Sequence, residues 1–282
     1  LNVLQSNVVA YRGQFIAFVV AETLEIARQA AETVKVHYRE QPHDTKLSAD
    51  RDDLYKPKIV NTAFETDTST GDVEGALTSA PIVLDQTYTT PAYHNNPMEP
   101  HATVAQWNGD GVTLYDSNQG SHGVRTQVAQ AFDLQPEQVR VIAPYVGGGF
   151  GSKFRAAAHV ILTVMAAQVV GRPVKFALTR QQMFAVTIYR APQIQHLRLG
   201  ADNEGRLSAL SHDVVTQTST LQEFAEQTAV VTRMMYAAPT RSTSHRIAKL
   251  DVPTPGWLRA PGECPGMFAL ESAMDELAIA CK

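Results

Sequence analysis

The stretch "VIAPYVGGGFGSKFRAAAHVILTVMAAQVVGRP" (Val141–Pro173) decides how the middle of the chain folds. An apolar run, four glycines within Gly147–Gly151 and a long apolar segment follow one another, which predicts a strand, a loop and a buried helix. Gly171 and Pro173 are stop signals for that helix. Glycines let a backbone approach a ligand, and N–H groups at a helix start favour an anion. The loop is therefore predicted to grip a ligand, with Lys153 as an added cation.

The glycines do not match two common nucleotide-binding loops. A phosphate-binding P-loop ends in Gly-Lys-Ser/Thr, whereas Ser152 and Lys153 stand in the reverse order and the first spacing is one residue short. A dinucleotide fingerprint requires glycine where Ser152 stands, and it lacks its acidic residue at a later strand end. A tight turn that only lets the helix approach the sheet is the remaining alternative, but three consecutive glycines, Phe150 and a fourth glycine exceed what a turn requires.

The composition bounds the class of protein. The chain has 282 residues, of which 44% are hydrophobic and 18% charged, so it has material for one large domain or two smaller ones. A net charge of −4 without a basic stripe gives no expectation of nucleic acid. The longest apolar run, within Ala156–Val170, is too short to predict a membrane span. Cys264 and Cys281 form neither a disulfide framework nor an iron–sulfur ligand set.

The pattern of elements predicts an α+β fold. Gly13–Val20, Glu22–Val34 and Val34–Tyr38 are predicted as strand, helix and strand, and the polar, turn-rich stretch 46–75 as a linker. Later predictions are strands at Ile82–Thr90, Gln138–Ala143 and Pro173–Thr179, hairpins within Thr103–Ser117 and Ile194–Thr216, a helix at His122–Leu134 and a last helix with Pro265 at its first position.

The string "GGGFGSK" (Gly147–Lys153) resembles the loop that lies against the molybdopterin cofactor in the molybdenum hydroxylase family, which includes xanthine dehydrogenase and aldehyde oxidoreductases. Other segments resemble that family in the same order, namely "RGQFIAFVVAETLEIARQAAETVKVHY", "NNPMEPHATVAQW", "LYDSNQG" and "WLRAPGECPGMFALESAMDELA". The resemblance covers nearly the whole chain. It implies the C-terminal part of an α/β hammerhead domain at 1–45, a linker at 46–75 and an incomplete first molybdopterin-binding domain at 76–282.

The resemblance also implies roles for individual residues. Gln119 would donate a hydrogen bond to an oxo or sulfido ligand of molybdenum, which suits a neutral amide. Arg259 would lie near the substrate pocket and hold a developing oxyanion. These two residues are the predicted catalytic residues, and no residue is predicted to ligate the metal directly. The predicted cofactor contacts are Gln119, Gly148, Gly149, Phe150, Gly151 and Arg259.

The general base of this family is a Glu in a segment that would lie beyond Lys282. Glu99 and Glu263 sit in the wrong motifs for that role, so the chain is expected to be a fragment that is inactive alone. The resemblance further implies molybdopterin with molybdenum, in the cytosine dinucleotide form, with iron–sulfur clusters and FAD on partner domains or subunits. A second, C-terminal molybdopterin domain would complete the site. The expected compartment is the cytoplasm, or the periplasm for an exported complex.

Two departures from the purine-oxidising branch bear on the substrate. Phe154 stands where that branch has Glu, and Arg259-Ala260-Pro261-Gly262 stands where it has Arg-Gly-Phe-Gly. Loss of a charged hydrogen-bonding group disfavours a polar heterocycle. We therefore expect hydroxylation of an aldehyde to a carboxylic acid with oxygen from water. A fragment of a xanthine dehydrogenase-type N-heterocycle hydroxylase, or a truncated remnant that folds without cofactor, remains the alternative.

Several other side chains are predicted to be structural. His94, Glu99 and His101 do not have the spacing of a metal-binding motif. His159 lies within the apolar helix and is predicted to be a core histidine with satisfied hydrogen bonds.

Overall fold

A computed structural model describes residues 3–61 and 63–282, which divide into two compact units. The first unit contains the chain up to His43 together with Asn95–Thr187. The second unit contains Asp44–His94 and Ile188–Lys282. Each unit is thus assembled from separate pieces of chain, and the mixed α+β class expected from the sequence is confirmed.

The helices are α1 (Leu24–Thr33), α2 (Val73–Ser79), α3 (Ser121–Ala131), α4 (Ala158–Val170), α5 (Arg180–Val186), α6 (Thr232–Met235) and α7 (Glu263–Cys281). The strands are β1 (Ile59–Val60), β2 (Phe64–Glu65), β3 (Thr68–Thr70), β4 (Ile82–Thr90), β5 (Tyr93–His94), β6 (Ala102–Asn108), β7 (Gly111–Asp116), β8 (Val139–Ile142), β9 (Val174–Ala177), β10 (Tyr189–Arg190), β11 (Gln193–Ala201), β12 (Leu207–Ser219) and β13 (Thr240–Leu250).

The first unit is built on a sheet with strand order β8-β7-β6-β9. Strands β6 and β7 form the predicted hairpin, whose turn uses Gly109 at a φ of 64°. Strands β7 and β8 are parallel, and α3 lies in the crossover between them. Helix α4 packs on β6 and β9 and ends at Gly171 with a φ of 64°, as its stop signals predict. The core of this unit joins both helices to the sheet through Leu114, Val124, Val128, Val160 and Val164.

The second unit is built on a sheet with strand order β3-β13-β12-β11-β4. The predicted hairpin pairs β11 with β12 through the Asp202–Arg206 turn, and β13 joins β12 in parallel. Helix α7 covers β4 and β11 and fills the core with apolar side chains. This core includes Leu197, Leu199, Leu210, Leu270 and Leu277. Helix α2 packs on β12 through Val73 and Leu77.

Some predicted elements differ from the structure. Among the described residues, Gly13–Val20 and Val34–Tyr38 pair with no strand, because an alternating pattern forms a strand only where a neighbouring ladder is present. Phe15 and Phe18 instead pack edge-on against Phe176 of β9. The intervening helix α1 is confirmed, and Thr23 caps it by accepting a hydrogen bond from the N–H of Ile26.

The stretch predicted as a linker contains short strands. Val60 of β1 is buried, and β3 pairs with β13, which lies far along the chain. The polar, turn-rich sequence hides these strands because the partner that defines β3 is not local. Helix α7 begins at Glu263, so Pro265 occupies its third position and not the predicted first one. Strand β13 was not predicted, because its inward positions include Thr243 and His245 and do not form an apolar alternation.

In the part of the chain that the structure describes, every helix is too short or too polar to cross a membrane.

Four histidines lie buried in the described residues, two in each unit. In the first unit, burial lowers the pKa of His101 to about 4 and that of His159 to about 3. In the second unit, burial lowers the pKa of His212 to about 3 and that of His245 to about 4. His159 corrects a prediction, because neither of its ring nitrogens has a hydrogen-bond partner among the described residues. Its ring instead meets the ring of His101 edge-on, at 5.7 Å between centroids.

The buried histidines predict a loss of stability in mild acid. Each is neutral in the folded chain but gains a proton when unfolding exposes it below its ordinary pKa, so unfolding takes up protons. The stabilisation is fully present above about pH 6.5 and is lost as the pH falls towards about 4. We expect the free energy of unfolding to fall by up to about 1.4 kcal/mol per pH unit for each histidine.

Urea denaturation at pH 7.5, 6 and 5 measures this dependence. His212→Gln should make it shallower, whereas replacement of the exposed His122 by Gln should leave it unchanged. A free energy of unfolding that stays constant from pH 7.5 to 5 would contradict the prediction.

Candidate functional site

The glycine loop between β8 and α4 adopts left-handed backbone conformations. Gly148 has a φ of 95° and Gly151 a φ of 109°, values that side chains disfavour. Phe150, between them, is also left-handed at 52°, a conformation that a bulky residue keeps only when its surroundings enforce it. Helix α4 begins only at Ala158, so the loop does not open directly into the helix as the sequence had suggested. The N-terminus of α4 therefore does not form the end of the loop, which is shaped by its own backbone and its neighbours.

The side chain of Gln119 is hydrogen-bonded to the backbone of this loop. Gln119 follows β7, and its side-chain Oε1 accepts hydrogen bonds from the N–H of Gly151 at 3.1 Å and of Lys153 at 3.3 Å. Its own N–H donates to the carbonyl of Lys153 at 2.8 Å. A Cβ on Gly149 would lie only 2.2 Å from Oε1, so residue 149 must be glycine for Gln119 to take this position. Because the carbonyl end of the amide is committed to the loop, the amide nitrogen keeps its two N–H groups to donate elsewhere.

The residues before Gln119 fix the turn that carries it. Asp116 at the end of β7 is buried and accepts from Thr103 Oγ1 at 2.5 Å and from Asn118 Nδ2 at 2.9 Å. Asn118 Oδ1 accepts in turn from the N–H of Gly120 and from Ser121 Oγ, each at 3.1 Å. Burial raises the pKa of Asp116, against the opposing effect of these hydrogen bonds. This side-chain network replaces the backbone ladder that ends at Asp116.

The side chain of Lys153 lies beneath the loop and is wholly buried. Its Nζ donates to Glu99 Oε2 at 2.7 Å, to the Glu99 carbonyl at 3.0 Å and to Ser117 Oγ at 2.6 Å. Glu99 Oε2 also accepts from the N–H of Gly147 at 2.9 Å and from Ser117 Oγ at 2.5 Å. We call Lys153, Glu99 and Ser117 the lysine latch. The prediction of Lys153 as a cation for the ligand is wrong, because its ammonium is committed to these internal oxygens.

The charges of the latch shift the ionisation of both partners. Burial acts to raise the pKa of Glu99, but hydrogen bonds from Lys153, Ser117 and Gly147 outweigh it and hold the pKa below its usual value. Burial lowers the pKa of Lys153, and Glu99 opposes that shift. The latch is thus an ion pair that fixes the start of the loop through Gly147 and its end through Lys153.

Three aromatic side chains of the loop are exposed to solvent to different degrees. Phe150 is 44% exposed, Phe154 46% and Tyr145 86%. A Cβ on Gly148 would lie 3.2 Å from the ring of Phe150, so the ring rests against the glycine backbone. The loop thus offers glycine backbone and aromatic surface to a ligand.

Arg259, the other predicted catalytic residue, belongs to the second unit. It stands in the irregular segment that precedes α7, where Ala260 has a φ of 54° and Gly262 a φ of 78°. The Arg259 side chain is exposed, whereas the backbone around it is held by the buried Arg190. The Trp257 side chain donates a 2.8 Å hydrogen bond from Nε1 to Asn61 Oδ1.

The structure thus brings Gln119 together with Gly149 and Gly151, and it places Arg259 in a separate unit. Sequence reasoning missed the latch role of Lys153 and the role of Arg190. A Lys at the end of a glycine loop indicates that its charge has a role there, but the sequence does not show that this Lys is buried. Within residues 3–61 and 63–282, no three His, Cys, Asp or Glu side chains form a group that could hold a metal ion.

Breaking the lysine latch should destabilise the chain. Lys153→Met leaves the Glu99 carboxylate and Ser117 without their buried cation, and we expect a loss of about 3 kcal/mol in the free energy of unfolding. The double variant Lys153→Met/Glu99→Gln should recover part of this loss, because it also removes the uncompensated charge. Urea denaturation of Lys153→Met, Glu99→Gln and the double variant gives the three changes in the free energy of unfolding that a double-mutant cycle requires. The exposed Lys175→Met is the matched control. Strictly additive effects would contradict the latch.

Comparison with known proteins places this geometry in a family. The chain is 42% identical over 266 residues to the aldehyde oxidoreductase molybdenum-binding subunit PaoC of Escherichia coli K12, covering 94% of this chain and 36% of that protein. It is 28% identical over 281 residues to the putative xanthine dehydrogenase molybdenum-binding subunit XdhA of the same strain, covering 96% of this chain and 37% of the relative. The chain therefore spans about a third of the length of these relatives.

Solved structures share the fold. Quinoline 2-oxidoreductase from Pseudomonas putida 86 matches 92% of this chain, with 34% of its own length, at a TM-score of 0.78 and 24% identity. The family profile described as "Molybdopterin cofactor-binding domain" matches residues 55–282, and the one described as "Aldehyde oxidase and xanthine dehydrogenase, a/b hammerhead domain" matches residues 1–42. The chain therefore belongs to the molybdenum hydroxylase family of aldehyde oxidoreductases and xanthine dehydrogenases, and it carries the end of the hammerhead domain and the molybdopterin cofactor-binding domain.

Proposed function

We propose that this chain is the molybdopterin-binding portion of a larger oxidoreductase that converts aldehydes to carboxylic acids with water as the oxygen source. The packing of Gln119 against Gly149 is the observation that carries the proposal. It joins an uncharged amide donor to a loop whose backbone is bare of side chains at residues 147–149 and 151. Such a surface suits a broad polar cofactor, because backbone N–H groups and an amide can contact it without a competing charge.

The residues present fit molybdopterin in three respects. The left-handed glycines leave open backbone, the Gln119 carbonyl is already satisfied, and Phe150 presents an aromatic surface. Gly148, Gly149, Phe150 and Gly151 would hold the cofactor, and the Gln119 amide would donate to it. When bound, the molybdenum centre supplies the two-electron oxidation and the transfer of oxygen derived from water. The role that this chain adds is orientation, together with stabilisation by Arg259 of negative charge on the substrate oxygen.

The remaining parts of the proposed enzyme would lie outside these 282 residues. We propose the cytosine dinucleotide form of molybdopterin, iron–sulfur clusters and FAD on partner subunits or domains, and a C-terminal molybdopterin domain that supplies the general base. Without that base the chain alone would not turn over. We place the assembled enzyme in the cytoplasm, with the periplasm as the alternative for an exported complex. The domain boundaries 1–45, 46–75 and 76–282 stay a prediction.

The choice of an aldehyde over a nitrogen heterocycle rests on residue 154. Phe154 is half-exposed, and its carbonyl would lie 3.3 Å from a Cβ placed on Gly120 or Gly123, beside the turn that carries Gln119. An apolar ring at this position cannot accept a hydrogen bond from a purine, whereas it can pack against an aromatic aldehyde. The 42% identity to a subunit named as an aldehyde oxidoreductase supports the same choice.

Gly149→Val should abolish cofactor retention in the assembled enzyme. The added Cβ would meet the Gln119 side chain at 2.2 Å, so it must displace both the amide and the loop. Metal analysis of the purified enzyme and fluorescence of the oxidised pterin measure retention. The turn substitution Gly109→Asn is the control, because a Cβ at Gly109 meets nothing within 4 Å and Asn tolerates a positive φ. Full molybdenum content in Gly149→Val would show that the loop assignment is wrong.

The substrate class is tested by comparing benzaldehyde with hypoxanthine on the assembled enzyme. We expect kcat/KM to be at least about 100-fold higher for benzaldehyde, because residue 154 offers no acceptor to a purine. Phe154→Glu should narrow this ratio, and Phe154→Leu should keep it. Preferential oxidation of hypoxanthine would instead support the xanthine dehydrogenase-type alternative. A folded enzyme that holds no molybdenum would support the remnant without cofactor.

A further inference from the structure

Arg190 is a buried cation in the second unit, and its side chain is only 2% exposed. Its Nη2 donates to the carbonyls of three consecutive residues, at 2.8 Å to Leu258, 3.0 Å to Arg259 and 3.0 Å to Ala260. The segment that carries Arg259 is therefore held from below by one guanidinium group. Three successive carbonyls converge on one donor because the backbone turns sharply into the left-handed conformation of Ala260.

Glu226 completes the charge balance around Arg190. Its carboxylate accepts from Arg190 Nε at 2.9 and 3.1 Å, and from Gln193 Nε2 at 2.9 Å. Burial raises the pKa of Glu226, and the hydrogen bonds from Arg190 and Gln193 oppose that shift. Residues 258–260 are thus held by the cation of this buried pair, and the anion balances its charge.

The neighbouring Gln227 and Gly262 close the turn. Gln227 Nε2 donates to the carbonyl of Pro261 at 2.5 Å. A Cβ on Gly262 would lie 2.7 Å from the carbonyl of Gln227, and the φ of Gly262 is 78°. A segment with two left-handed residues and no strand partner has no backbone ladder to hold it, so side-chain donors supply its order.

A buried ion pair is a costly way to hold a turn. Removing two charges from water carries a large desolvation penalty for each ion, so such a pair is a poor source of stability alone. It does provide geometric definition, because the planar guanidinium fixes its donors relative to one another. The exposed Arg259 side chain projects from the backbone that this pair defines.

We propose that Arg190 and Glu226 are positioning residues that fix the backbone of Arg259 and thereby the placement of its guanidinium for the substrate. The proposal rests on the proposed function, in which Arg259 stabilises the substrate oxygen. Arg190 itself is buried and acts only through the Leu258–Gly262 segment. A lysine cannot take its place, since one ammonium does not span both the carboxylate and a row of three carbonyls.

Arg190→Lys in the assembled enzyme tests the proposal. We expect amide hydrogen exchange of the peptide covering Leu258–Gly262 to accelerate at least about tenfold, and kcat/KM for benzaldehyde to fall at least about tenfold. Molybdenum content should be unchanged. The control is Arg246→Lys, because Arg246 pairs with Asp67 in the same unit at 2.9 Å and has no hydrogen bond to residues 258–262. If hydrogen exchange of the Leu258–Gly262 peptide is the same in Arg190→Lys as in the unmodified enzyme, the proposal is overturned.

A double variant separates positioning from a general structural role. If Arg190 acts through Arg259, the loss of kcat/KM in Arg190→Lys/Arg259→Ala should equal that of Arg259→Ala alone. If the fold-loss of kcat/KM in the double variant equals the product of the fold-losses of the two single variants, the proposal is overturned. Glu226→Gln keeps the shape of the pair without its charge and should give a smaller acceleration of exchange, which provides a second test if Arg190→Lys does not fold. If Arg259→Ala leaves kcat/KM unchanged, the proposed role of Arg259 fails, while hydrogen exchange still decides whether Arg190 fixes the segment.

Discussion

A single buried ammonium group holds the glycine loop in place. Lys153 Nζ is surrounded by oxygens of Glu99, Pro100 and Ser117, and its side chain has no exposure to water. A cation in this position must keep its acceptors, since losing one would leave a charge in a poorly solvated site. The conformation of the loop is therefore coupled to the entry into β6 and to the end of β7. The left-handed Phe150 and the contact between Gly149 and Gln119 lie in the loop whose two ends this ion pair fixes.

The latch gives a physical reason why three motifs that are separated along the chain occur together. Glu99 lies in "NNPMEPH", Ser117 lies in "LYDSNQG", and Lys153 ends "GGGFGSK". These segments are separated in sequence, but one ammonium group joins them. Gln119 is two residues beyond Ser117, so fixing the serine also limits where the amide can lie. The three motifs thus form one structural unit, and a change in one alters the support of the other two.

Local sequence signals predicted the elements whose partners are near in sequence. The β6–β7 and β11–β12 hairpins carry their own turn residues, and α4 is apolar with a glycine stop, so each pattern is nearly self-sufficient. The pairing of β3 with β13 was missed because neither strand has an apolar alternation and each is defined by a distant partner. Gln119 and the glycines were assigned through the family resemblance. The burial of Lys153 and Arg190 could not be predicted, because charged residues are usually exposed and no local pattern marks the exceptions.

Each unit thus uses a buried cation where regular secondary structure is absent, and the two cations differ in a way that follows from their chemistry. Lys153 satisfies a convergent cage of carboxylate, carbonyl and hydroxyl oxygens, which suits a compact ammonium with donors in several directions. Arg190 faces a carboxylate on one side and a row of carbonyls on another, which suits a flat group with separate Nε and Nη donors.

In both cases the backbone is fixed by internal hydrogen bonds. Two side chains are proposed to do chemistry, the Gln119 amide and the Arg259 guanidinium. Their N–H donors are therefore not needed to hold the glycine loop or the segment before α7. The support of each segment is thereby separated from its chemistry, so a bound cofactor or substrate can engage those donors without competing with the hydrogen bonds that maintain the fold.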